Sequence, residues 1–173
     1  MFACSTGLSP TNTKTEGETV LSEAPCEVWF YHLERAALEQ VLPELLEKTL
    51  SRGWRALVRC GSSDRLEHLD SWLWAYREDS FLPHGPDHES TASRQPILLT
   101  TGPDNLNNAQ ALFLVDDVEA GDLAPYERCI LIFDGRDEAA LAGARKRWVG
   151  FKAAGYQVAY WRQGESRGWE RQA

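Results

Sequence analysis

The stretch CILIFDGRDEAALAGARKRWVGFKAAGYQVAYW, residues 129–161, decides the fold. Cys129 to Phe133 is an unbroken apolar run, the pattern of a strand buried on both faces. Asp134-Gly135 turns the chain, and from about Asp137 to Ala154 the apolar residues recur at helical spacing. Gly155 closes that helix, and Tyr156 to Trp161 is again rich in aromatic and β-branched residues. Strand, helix, strand in this order argues for a mostly parallel sheet with helices across its faces.

The helix carries two stripes. At 3.6 residues per turn Ala140, Ala144, Phe151 and Ala154 share one face, the expected core side. About a quarter-turn away, Leu141, Arg145, Trp148 and Lys152 share another. Two cations around a large aromatic suit a ligand that joins a carboxylate to an apolar group. A peptide C-terminus ending in an aromatic residue fits that description. The competing reading is a solvated face whose Trp covers a neighbouring loop.

The same alternation extends upstream. Strands are expected at Val28–Leu33, Trp54–Cys60, Pro96–Thr101 and Ala111–Val115. Helices are expected from Ala36 to about Ser51, with Gly53 as C-cap, and from Ser62-Ser63-Asp64 through Leu66, Leu69, Leu73 and Trp74. Residues 78–93, with their Gly, Pro, Asp, His and Ser, read as a loop. The fold class that follows is α/β: three layers, a mostly parallel sheet, Rossmann-like and doubly wound, without a nucleotide-binding loop. Residues 1–25 read as a flexible N-terminal tail, 26–163 as the α/β domain, and 164–173 as a polar C-terminal tail.

Bulk composition narrows the function classes. The chain has 173 residues, 43% of them apolar and 25% charged, which suits a single globular domain. A net charge of -8 gives no generic attraction to nucleic acid or anionic lipid. Cys4, Cys26, Cys60 and Cys129 lack C-x-x-C spacing, so reduced thiols and a cytoplasmic location are expected. No apolar run approaches the roughly 18 residues of a membrane span. The N-terminus lacks a charged segment followed by an apolar one, so no secretory signal is expected.

The strongest enzyme-like signal is Leu112-Phe113-Leu114-Val115-Asp116-Asp117, an apolar strand ending in two carboxylates. In a P-loop phosphotransferase or nucleotide hydrolase such a strand end holds magnesium. The partner motif G-x-x-x-x-G-K-[ST] is absent, which leaves Asp116 and Asp117 nothing to act on. Gly61-Ser62-Ser63 reads as a turn with an N-cap rather than a phosphate cup. His84 and His88, with Asp87 and Glu89, lack a third ligand at recognisable spacing, so no metal is expected. No catalytic residue and no cofactor are expected. Trp72 and Trp74, two apart, cannot share a helical face, so one of them is a candidate protein contact.

From Glu27 to about Arg162 the chain resembles the chi subunit family of bacterial DNA polymerase III. The matching pieces are Phe30-Tyr31-His32-Leu33, Leu73-Trp74 with Ser80-Phe81-Leu82-Pro83-His84, Phe113-Leu114-Val115-Asp116 and Phe133-Asp134-Gly135. They continue through Asp137-Glu138, Ala144-Arg145, Arg147-Trp148 and Gly155 to Tyr160-Trp161. The resemblance implies a nucleotide-binding fold without the nucleotide site, serving as a non-catalytic adaptor in DNA replication. It implies binding to the acidic C-terminal tail of single-stranded DNA-binding protein, which ends in Pro-Phe. It also implies binding to the psi subunit, which links the protein to the clamp loader. DNA would be met only indirectly, and membranes not at all. The family's tail pocket uses a helix face with Lys, Arg and an aromatic, positions that fall here on Leu141, Arg145 and Trp148. Leu141 departs from that pattern, and Lys152 on the same stripe stands in for the lost cation. The family's psi surface includes residues matching Trp74 and Phe81.

Overall fold

A computed structural model describes residues 25–166 and 168–173. The expected tail lies outside the described residues except for Pro25. The elements are β1 (Glu27–Leu33), α1 (Leu38–Ser51), β2 (Ala56–Arg59), α2 (Ser63–Ala75), β3 (His84–Pro86), β4 (Ile97–Thr100), β5 (Ala111–Leu114), β6 (Arg128–Asp134), α3 (Glu138–Ala153), β7 (Gln157–Gln163) and β8 (Trp169–Arg171). They build one eight-stranded sheet in the order β3-β4-β2-β5-β6-β1-β7-β8. Every pairing is parallel except β7 with β8. The fold is α/β, three-layered and Rossmann-like.

β2, β4 and β5 are buried at every position, which is why they read as apolar runs rather than alternating ones. Above one face, Leu42 and Leu46 of α1 and Leu69 and Leu73 of α2 pack on Val58, Leu99 and Phe113. Beneath the other, Ala144 of α3 joins Phe30, Leu112 and Leu131, with Trp148 and Phe151 at the margin. Each fully buried Leu or Phe contributes about 1.5–3 kcal/mol of transfer free energy. Two layers of such contacts hold the sheet from both sides.

Three expectations change. Residues 78–93 are not all loop, because His84–Pro86 adds edge strand β3 to β4. His84 secures it: one ring nitrogen lies 2.6 Å from the Leu82 carbonyl, the other 3.1 Å from that of Asp70. Pro86 is tolerated there because an edge strand leaves its missing N–H facing away from the ladder. The segment 164–173, read as a polar tail, carries β8, and Trp169 packs edge-on against Tyr31 with ring centroids 4.7 Å apart. Ala154, placed on the core stripe by spacing, is exposed, because the helix ends at Ala153 and Gly155 turns away with φ +87°.

Candidate docking site on the third helix

Asp137 starts α3 by accepting from the backbone N–H groups of Ala139 and Ala140 at 2.9 and 3.3 Å. From that start the two stripes separate as their spacing requires. Ala144 is buried, Leu141 and Trp148 are half-buried, and Arg145 and Lys152 are exposed. Trp148 meets Phe30 at a ring separation of 5.3 Å and Tyr160 at 5.9 Å, both edge-on. The Lys152 ammonium sits 5.4 Å from the Trp148 ring centroid, a cation–π placement. The indole is therefore packed on the core with part of its surface left accessible. Among the described residues no carboxylate lies within ion-pair distance of Arg145. Its charge is felt by His32 and Tyr160.

Three further side chains belong to this surface, and helical spacing does not point to them. His32 of β1 and Phe133 of β6 are register partners, and Tyr160 of β7, which pairs with Phe30, is their diagonal neighbour on the same face of the sheet. His32 stacks on Phe133 with centroids 5.1 Å apart, and its Nδ1 lies 2.6 Å from the Tyr160 hydroxyl. Gly135 makes room for the ring, since a Cβ there would fall 1.6 Å from His32 Nε2. Burial chiefly lowers the His32 pKa below its ordinary value, Arg162 and Arg145 lower it further, and Glu34 and Asp134 act the other way. Burial raises that of the Tyr160 hydroxyl. The result is a half-buried aromatic floor with two exposed cations, Arg145 and Lys152, on the adjoining helix face.

The second expected surface lies at the far end of the sheet. Trp74 and Phe81 are 58% and 72% exposed, with ring centroids 5.9 Å apart, and Trp74 rests on His84 at 4.6 Å. Leu82 and His84, both buried, hold the loop that presents Phe81. Trp72 faces the other flank of α2, donating its indole N–H to the Glu39 carbonyl at 2.7 Å. The two surfaces thus sit on opposite faces of the sheet, one over β6, β1 and β7, the other beside β3.

The acidic pair has a structural role. Asp116 and Asp117 adopt successive left-handed conformations, φ +60° and +58°. Arg65 of α2 grips Asp116, Nε at 2.9 Å and Nη2 at 2.7 Å from Oδ1. Arg147 of α3 pairs with the Asp117 carboxylate at 3.2 Å and donates to the Asp117 and Val118 carbonyls. Each carboxylate is matched to a guanidinium, which argues against a magnesium-holding role. Ser62 caps α2 by accepting from Arg65 N–H at 3.2 Å, so Gly61-Ser62-Ser63 is a helix start. Asp87 is engaged by Thr100 Oγ1 at 2.5 Å. Among the described residues no three His, Cys, Asp or Glu side chains gather as metal ligands, and no helix is long and apolar enough to cross a membrane. A cleft of about 490 Å³ opens at the carboxyl ends of the strands, between Leu33, Arg65, Asp116, Arg136 and Arg147.

Against known proteins, the model of the family described as DNA polymerase III chi subunit, HolC, matches residues 26–159. The DNA polymerase III subunit chi of Escherichia coli K12 is 26% identical, over 71% of this chain and 84% of its own length. Its Pseudomonas aeruginosa counterpart is 24% identical, over 69% and 82% respectively. The probable DNA polymerase III subunit chi of Rickettsia prowazekii is 24% identical over 60% of this chain, and the match spans 62% of that protein.

Proposed function

Because the chain belongs to the DNA polymerase III chi subunit family, we propose that it is a non-catalytic adaptor of the bacterial replisome. In this reading it works in the cytoplasm, and its α3 face docks the acidic C-terminal tail of single-stranded DNA-binding protein. Arg145 pairs with the tail's carboxylates. Trp148, over the floor of His32, Phe133 and Tyr160, receives the terminal phenyl ring. Leu141 and Lys152 flank the contact. Trp74 and Phe81 form the second handle, for psi or another part of the clamp loader, so DNA is reached only through partners.

One observation carries the reading: Arg145 is exposed beside a half-buried aromatic floor, while its neighbour Arg147 is already committed to Asp117. Exposed cations beside half-buried aromatic rings match an acidic peptide with an aromatic end. Binding of a peptide ending in Asp-Asp-Ile-Pro-Phe tests it. A dissociation constant near 1 μM, about -8 kcal/mol, is expected, weakening with salt. No binding at low salt would refute the reading.

A further inference from the structure

The polar contact of the Tyr160 hydroxyl is His32 Nδ1, at 2.6 Å. The other ring nitrogen, Nε2, faces Gly135, where only a missing Cβ makes room. The His32–Tyr160 hydrogen bond has two directions. With a neutral ring protonated at Nε2, Nδ1 accepts and the tyrosine's only proton is committed to it. With Nδ1 protonated, the ring donates to the tyrosine oxygen, and the O–H is free to donate to another acceptor.

We infer that His32 and Tyr160 form a proton-linked second half of the carboxylate site beside Arg145, so that capture of an acidic peptide takes up a proton at His32. This rests on the tail-docking reading and concerns how that site is regulated. The proton comes from solvent and enters at Nδ1. The freed Tyr160 O–H donates to the ligand carboxylate, whose negative charge in turn favours the imidazolium. The other charged groups around His32 are already matched: Glu34 with Arg162, and Asp134 with Arg136. Arg145 remains to face the ligand. The unliganded ring is held toward its neutral form, chiefly by burial, so the peptide supplies the change. By linkage, affinity rises as pH falls through the pKa of the complex and levels off below that of the free protein.

The test measures binding of the Asp-Asp-Ile-Pro-Phe peptide at pH 7.5 and pH 5.5. It uses the full chain, His32→Gln and Tyr160→Phe, with circular dichroism confirming that each variant is folded. For the unaltered chain the affinity should rise several-fold, up to about tenfold for each pKa unit gained on binding. Both variants should lose that rise. As a readout that needs no substitution, the His32 imidazole proton resonance, titrated with and without peptide, should show a higher midpoint in the complex. Binding with the same pH slope in all three proteins, or an unmoved imidazole midpoint, overturns the inference and leaves the docking reading standing. A peptide that fails to bind at either pH removes both.

Discussion

The indole N–H of Trp72 donates at 2.7 Å to the Glu39 carbonyl, the one carbonyl of α1 that Pro43, four residues on, cannot satisfy. Proline inside a helix leaves the i−4 carbonyl without its donor. Here α2 supplies it, and Glu39's carboxylate adds Arg65 and His68, each at 3.2 Å. The two helices on this face are thereby joined through a flaw in one of them. Trp72→Phe should cost about 1 kcal/mol, read by urea denaturation. In a Pro43→Ala background, where the helix satisfies its own carbonyl, the same change should cost clearly less. Equal costs in both backgrounds would deny the coupling.

Two glycines, Gly135 and Gly150, should respond with opposite signs. Gly135→Ala drives a methyl into His32 and should destabilise the fold by about 1–3 kcal/mol. Gly150, inside α3, has open space at the Cβ position, so Gly150→Ala should stabilise by about 0.4–1 kcal/mol. Thermal melts of the two variants check this, and a stabilised Gly135→Ala would show that the His32 ring is not seated as described.

The paired aspartates should behave as clamps. Asp116→Ala removes a bidentate but partly solvated contact with Arg65, so a loss of about 1 kcal/mol is expected rather than the larger cost of a buried ion pair. Millimolar nucleotide with magnesium should leave the melting temperature unmoved. A ligand-induced rise would reopen a phosphotransfer role for Asp116 and Asp117.

Alkaline pH should unfold the protein early. Burial pushes Cys26 and Cys60 up to about 12, and Tyr31 likewise up to about 12. A group whose pKa is higher folded than unfolded lends stability that is complete below the unfolded value and lost as pH climbs toward the folded one. Stability should therefore decline from about pH 9 upward. Cys60→Ala should flatten that decline, and an unchanged slope would contradict the assignment.

The elements that were legible are those whose own periodicity reports burial. β2, β4 and β5 are sealed on both faces and read as apolar runs, and α3 shows Arg145 three residues from Trp148. β3 and β8 were not legible, because three residues hold no period. Their order comes chiefly from partners outside the segment, the Asp70 carbonyl for His84 and the ring of Tyr31 for Trp169. The same limit hid half of the candidate surface. His32, Phe133 and Tyr160 come from three strands, and only the register of β6, β1 and β7 makes them neighbours. The roles of Asp116 and Asp117 were hidden for a related reason, since the arginines that occupy them lie 51 and 30 residues away.

Calorimetric titration of the Asp-Asp-Ile-Pro-Phe peptide into the full chain and into Arg145→Ala tests the docking site most directly, with a peptide lacking the final Phe as the parallel arm. The account predicts micromolar binding to the full chain, a loss of about 1.5–3 kcal/mol with Arg145→Ala, and little heat from the shortened peptide. Equal binding by both proteins, or by both peptides, would contradict it.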